Sequence, residues 1–390
     1  MVYNKTVVYR ERAIYLMETK TYCAAAFTQI YADNASRYRL CCHAGVNKDL
    51  AKYTTNNTTP FDYYLSDEME DVRDNMLSGK RITGCETCYE IEDRGHESWR
   101  QWKYNKNYEL TAAVKKVHLK LRIMGSFCNL GCYMCHPYNS STRRIELKQK
   151  NILFDKTDGG DTGGVINVSS TNYNATVSDI LDNIHLVGSI HLTGGEPLQL
   201  PRMWEFMKSI PNNHASNIHV SMDSNLTELN FKDNNIWQLV DKFNNVGISV
   251  SCDHYGDKLS WIRYPIDVEK FEKNIKTAAS IINNINVTVS ILNILELFEI
   301  RDYYHAHKVS FTNIVTGPKM LSIRNLPQEL KDELKIKYAD FPTVIQELDH
   351  TIIHGELDNG IEYCRKLNSN RNINFDLLFD SFFNRLQAHK

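Results

Sequence analysis

The chain has 390 residues, 42% hydrophobic and 24% charged, enough to bury a full core and to divide it between more than one structural unit. A formal net charge of −2 gives no general electrostatic pull toward nucleic acid or anionic lipid, so neither is expected as a partner. The opening MVYNKTVVYRERAIYLMETK mixes charge into every short apolar run, and no later stretch approaches the roughly 20 apolar residues of a membrane span.

A cytoplasmic protein is expected, and its ten cysteines then meet a reducing environment where thiols serve metal or redox work more often than disulfides. They group as Cys23, the pair Cys41 and Cys42, Cys85 with Cys88, then Cys128, Cys132 and Cys135, with Cys252 and Cys364 alone.

In chain order, residues 1–110 read as a small α+β cysteine-rich domain. Short strands are predicted around Tyr22 to Leu40, a polar stretch at Lys52 to Thr59, and a helix across Glu68 to Leu77. Residues 111–320 change rhythm. Six β-rich runs, at 117–124, 188–193, 217–223, 247–253, 285–291 and 308–315, alternate with helical patterns such as Met203 to Ile210, Asn234 to Phe243 and Val268 to Ile282. That order predicts parallel βα units wound by right-handed crossovers into a partial (β/α)6 TIM-like barrel. TDGGDTGG at 157–164 reads as an inserted flexible loop. Residues 321–390 form a helical region in which Pro327 and Pro342 each open a helix.

The strand runs alternate strictly. One face carries His118, Lys120, Arg122, Ser189, His191, Thr193, His219, Ser221, Asp223, Ser249, Ser251, Asp253, Thr288 and Ser290; the other is apolar and mainly Val, Leu and Ile, with Cys252 among them. Helices must cover the apolar face, so the polar one is expected to line a wet lumen that admits a polar ligand, unlike the apolar filling of a closed barrel.

The first run leads into Met124-Gly-Ser-Phe-Cys128-Asn-Leu-Gly-Cys132-Tyr-Met-Cys135, a CxxxCxxC loop. Three soft thiolates suit an iron–sulfur cluster, and three ligands on a four-iron cubane leave one iron open. The second run ends in Gly194-Gly195-Glu196-Pro197, the third in Asp223-Ser-Asn225, and the fourth in Ser251-Cys-Asp253 with Trp261-Ile-Arg263 downstream. Together these resemble the signature of the radical SAM superfamily over roughly residues 115–315. The resemblance implies a 4Fe–4S cluster on Cys128, Cys132 and Cys135 and an S-adenosylmethionine whose amino group is held by Gly194, Gly195, Glu196 and Pro197. It further implies ribose contact at Asn225 and carboxylate contact at Ser251, Asp253 and Arg263. Met134 stands where the family often has an adenine-contacting aromatic.

Cys23, Cys41 or Cys42, Cys85 and Cys88 resemble the twitch or SPASM-type auxiliary unit of such enzymes, placed before the barrel instead of after it. That implies a second 4Fe–4S cluster; a structural zinc site satisfies the same four thiols. The activity implied is one-electron reductive cleavage of S-adenosylmethionine to a 5′-deoxyadenosyl radical, fed by an external reductant, with hydrogen abstraction from a peptide or protein. A small polar metabolite is the alternative substrate, and a non-catalytic zinc-binding protein the alternative class. Asp253, His191 and His219 are candidate acid–base or substrate-binding residues, with no single catalytic group distinguished.

Overall fold

A computed structural model describes residues 20–33, 37–45, 47, 50, 58–106, 116–150, 152, 170–352, 355–371, 379 and 383–386. The glycine-rich loop expected at 157–164 and the boundary expected near 110 lie outside the described residues.

The strands are β1 (Gln29–Ala32), β2 (Tyr38–Arg39), β3 (Val117–Leu121), β4 (Val187–Leu192), β5 (His219–Ser224), β6 (Asn230–Phe231), β7 (Asn234–Asn235), β8 (Asn245–Ser251), β9 (Ile282–Val289) and β10 (Val309–Ile314). One sheet runs β10-β9-β8-β5-β4-β3-β1-β2, and β6 pairs with β7 in a separate hairpin. Within the large sheet all neighbours from β10 to β1 are parallel and β2 is antiparallel to β1. The fold is therefore α/β, a partial TIM-like barrel in which β3, β4, β5, β8, β9 and β10 are the six expected barrel strands.

Alternation along each strand separates two environments. Val117, Leu119 and Leu121 of β3, Val220 and Met222 of β5, and Ile285, Val287 and Val289 of β9 are buried, whereas His118, Lys120, Ser221, Asn286 and Thr288 stay partly accessible on the opposite face. Helices close over the apolar side. Val268–Thr277, capped by Asp267 accepting from the Lys270 N–H, buries Phe271 and Ile275. The helix expected to run on to Ile282 stops at Thr277, and a 3-10 turn at Ala279–Ile281 leads into β9. Ile282 already pairs with Ile248 of β8, and sheet pairing outweighs helix propensity there.

The N-terminal segment is continuous with the barrel sheet. β1 lies along the free edge of β3 with Gln29 opposite His118 and Tyr31 opposite Lys120, and all four of its residues are buried. This pairs backbone groups that an edge strand would leave open. The two-residue β2 ends the sheet, and Asp33 there binds Arg37 at 2.7 Å and Arg39 at 3.5 Å, charges that discourage further pairing.

Helices Gln328–Lys337 and Pro342–Leu348 follow Pro327 and begin at Pro342. The last described long helix, Glu356–Arg371, packs on the turn Lys319–Leu321 so closely that a Cβ at Gly360 would overlap the Met320 carbonyl oxygen. Among the described residues no helix is long and apolar enough to cross a membrane.

Candidate functional site

The CxxxCxxC loop leaves β3 at the C-terminal end of the sheet, where ligand sites of such barrels form. Cys128 and Cys132 are buried and Cys135 is partly so. The loop is fastened at several points. Thr142 Oγ1 donates to the Cys128 carbonyl at 2.6 Å and Ser140 Oγ to that of Leu130 at 2.7 Å. The N–H groups of Gly131 and Tyr133 donate to the carbonyls of Tyr264 (2.6 Å) and Ile262 (3.1 Å). Burial pushes all three thiols up, Cys135 to about 12, while Arg263 pulls back on Cys132.

Burial thus favours the neutral thiols, and a coordinating metal, by supplying positive charge, favours the thiolates instead. Donors already aim at the sulfurs: Asn225 Nδ2 lies 3.8 Å from Cys128 Sγ and Arg263 Nη1 3.9 Å from Cys132 Sγ. Three soft donors on one loop, with N–H groups directed at sulfur, fit an iron–sulfur cluster. Among the described residues no three His, Cys, Asp or Glu side chains converge on a single-ion site.

β4 delivers the glycine pair to this loop. Gly194 and Gly195 hold φ of 90° and 58°, and a Cβ on Gly195 would overlap the Phe127 carbonyl oxygen, which accepts from the Glu196 N–H at 2.7 Å. Glu196 is buried. Its carboxylate accepts from Leu198 N (3.2 Å), Ser224 Oγ (2.8 Å) and Asn225 N (2.7 Å), tying β4 to β5. Three donors leave one acceptor position on Oε2.

Burial raises the Glu196 carboxyl from 4.5 to about 7 despite these bonds. The folded state thus keeps a proton that the unfolded chain has released, so stability should fall as pH rises from about 4.5 to about 7. Thermal unfolding of the apoprotein across that window should show the decline, and Glu196→Gln should flatten it; an equal slope in both proteins would count against this account.

The remaining strand ends converge less uniformly. Asn225 is committed to Asn129 (2.9 Å) and Thr227 (2.7 Å) as well as to Cys128, so it braces the cysteine loop. Ser251 ends β8, partly buried. Asp253, fully buried, pairs with Arg263 Nε at 2.8 Å and accepts from the Thr288 N–H at 2.7 Å. Met134 is buried; its neighbour Tyr133 turns into the core against Trp261, with ring centroids 4.0 Å apart.

Inside the lumen His191 bonds Ser221 (2.9 Å) and Asp223 (3.2 Å). Burial opposes ionisation of Asp223, yet the charges of His191 and Lys120 hold its carboxyl well below the usual range. His219 stands elsewhere. It is exposed at the first residue of β5, four residues below Asp223 and hence on the order of 13 Å from the strand end where the loops meet.

The N-terminal thiols share a second place. Cys23, Cys41, Cys85 and Cys88 line one recess of ≈ 410 Å³, its open mouth included, together with Met76, Arg100 and Tyr104. Burial raises Cys23 to about 12 and Cys41 well above its ordinary value, with neighbouring thiols adding to the effect. Cys42 departs from this group. Its sulfur lies 3.5 Å from Lys120 Nζ and 3.8 Å from Tyr104 Oη, toward the polar face of β3. Cys252 and Cys364 are buried core thiols.

Sequence reasoning missed a set of charges behind the cysteine loop: Arg143 and Glu146 on helix Ser141–Gln149, and Arg371 with Tyr363 on Glu356–Arg371. Their stretches read as ordinary polar helices, and no spacing signals their union.

Residues 123–302 match the model of the Radical SAM superfamily, so this stretch, which holds the three-thiol loop and the glycine turn, is similar to a radical SAM domain. Native anSMEcpe with bound AdoMet and Cp18Cys peptide is 16% identical over 57% of this chain and 59% of its own, with a TM-score of 0.38. Streptococcus suis SuiB bound to S-adenosylmethionine is 12% identical over 73% of this chain and 51% of its own, TM-score 0.34. SuiB bound to precursor peptide SuiA is 11% identical over 82% and 54%, TM-score 0.34. The chain spans about half to three-fifths of the length of these structures. No curated protein gives a significant match.

Proposed function

We propose that this radical SAM enzyme abstracts hydrogen from a peptide or protein held in the polar lumen. The observation that carries the reading is the docking of the Gly194–Glu196 turn onto a buried three-thiol loop at the mouth of a hydrogen-bonding half-barrel. Cys128, Cys132 and Cys135 would hold the 4Fe–4S cluster, and the turn with Ser251 and Arg263 would hold S-adenosylmethionine. When bound, the reduced cluster supplies the single electron that cleaves S-adenosylmethionine to methionine and a 5′-deoxyadenosyl radical.

The chain's own residues orient and shield. Glu196 offers its free lone pair to a cationic amino group, and Asn225 and Arg263 direct N–H groups at the cysteine sulfurs. The Asp253–Arg263 pair keeps the guanidinium in place without a loose buried charge. Across the lumen the His118–Ser189 pair (2.6 Å) and the His191–Ser221–Asp223 chain supply donors and acceptors for a polar substrate. This lining, together with the resemblance of the N-terminal thiols to a SPASM-type unit, supports a peptide. We place the reaction in the reducing cytosol, with an external one-electron donor.

We further propose that Cys23, Cys41, Cys85 and Cys88 hold a second 4Fe–4S cluster, closed by four thiolates and suited to electron transfer or structural support. Cys88→Ala should then roughly halve the iron per chain after anaerobic reconstitution. Stoichiometric zinc in place of iron at this site would refute the second cluster.

The test of the main reading is anaerobic. A reconstituted, reduced protein should form 5′-deoxyadenosine from S-adenosylmethionine, and a deuterated candidate peptide should transfer its label into that product. A colourless protein that binds only zinc overturns the enzyme reading. Turnover without label from any peptide, but with label from a small metabolite, overturns the substrate class.

A further inference from the structure

A buried knot of charge connects the last long helix to the three-thiol loop. Arg371, with a side chain 1% exposed, forks onto Glu146, with Nε 2.7 Å from Oε1 and Nη2 2.7 Å from Oε2. The same Nη2 donates to the Gly131 carbonyl, between Cys128 and Cys132, and Nη1 donates to the Trp261 carbonyl at 3.5 Å. The guanidinium also lies 4.4 Å from the Tyr133 ring centroid and 4.7 Å from that of Tyr264. Arg143, fully buried, binds Glu146 at 2.7 Å and donates to Tyr363 Oη, which in turn donates to the Tyr133 carbonyl at 3.3 Å.

Two guanidiniums here share one carboxylate. Arg263 is matched by Asp253, so among the described residues the knot holds about one more buried guanidinium than carboxylate, an arrangement that is costly unless a counter-charge lies close. Among the described residues the cysteine loop can supply it: Arg371 donates to its Gly131 carbonyl, and Cys132 feels the charges of both Arg371 and Arg143. Three thiolates around a cluster are anionic, and become more so on reduction.

We propose that Arg371, seconded by Arg143, is a positioning residue for the three-thiol loop and biases the cluster held there toward its reduced state. The proposal rests on the reading that this loop holds a 4Fe–4S cluster. The planar fork fixes Gly131 and the net charge stabilises the added electron; Lys could keep the charge but not the fork. The helix Glu356–Arg371 is on this view part of the cofactor site and not an appendage.

The experiment compares full-length wild type, Arg371→Gln and Arg371→Lys, each reconstituted anaerobically. The three-thiol cluster is identified as the one whose EPR signal changes when S-adenosylmethionine is added. Expected results are a more negative midpoint potential for Arg371→Gln, a near wild-type potential for Arg371→Lys, and roughly tenfold faster loss of iron to a chelator in both. Circular dichroism of the apoproteins separates these effects from misfolding, and if Arg371→Gln does not fold, the chelator rate of Arg371→Lys decides. A wild-type chain that takes up no iron overturns this proposal together with the reading beneath it. A wild type that loads normally beside variants of unchanged potential and chelator resistance overturns the knot alone.

Discussion

Cys128→Ala is expected to abolish 5′-deoxyadenosine formation while leaving the fold almost intact. Cys128 is one of only three thiols on the loop, so its loss leaves a cubane with two protein ligands, too few to hold it against exchange with solvent. The structural cost is small by comparison. The side chain loses one buried sulfur, worth about 1–2 kcal/mol, and a metal-free thiol kept neutral by burial contributes no charge that must be replaced. Iron content, absorbance in the cluster charge-transfer region and 5′-deoxyadenosine yield should fall together, with the apoprotein unfolding near the wild-type midpoint. A variant that still turned over S-adenosylmethionine would remove Cys128 from the ligand set.

Gly195→Ala should have the next largest effect, through the backbone. At φ of 58° an alanine carries the left-handed penalty of about 1–2 kcal/mol, and its Cβ would overlap the Phe127 carbonyl oxygen, a backbone atom unable to swing aside. Relief requires the glycine turn and the cysteine loop to part, at an overpacking cost of about 1–3 kcal/mol. That movement breaks the 2.7 Å bond from Glu196 N to Phe127 and withdraws Glu196 from the mouth. S-adenosylmethionine binding, measured by equilibrium dialysis on reconstituted protein, should fall well over tenfold, with a lower unfolding temperature. Wild-type binding by this variant would show that the close approach has no functional consequence.

The legible parts of the molecule are those whose signal is local. Strand alternation in β3, β5 and β9 was readable because each residue meets one of two media, an apolar helix layer or a polar lumen, and the period of two records which. The three-thiol loop was readable because its ligands lie within eight consecutive residues. Height along a strand was not. His219 and Asp223 lie on the same face of β5, but only the register with β4 and β8 shows that one is exposed at the far end and the other reaches the loops. Cys41 and Cys42 were likewise inseparable by spacing, and the backbone path sends one sulfur into the four-thiol recess and the other to Lys120.

By itself the sequence determined the α/β class, the six barrel strands, the polar lining and the cysteine loop with its glycine turn. Each depends on residue type at short range. Tertiary structure alone decided that β1 completes the edge of β3, that Asp253 neutralises Arg263, and that Arg371 reaches Gly131 across 240 positions of chain. Those contacts arise from closing long loops, and a buried charge finds its partner wherever the packed chain brings one within reach, irrespective of separation along it.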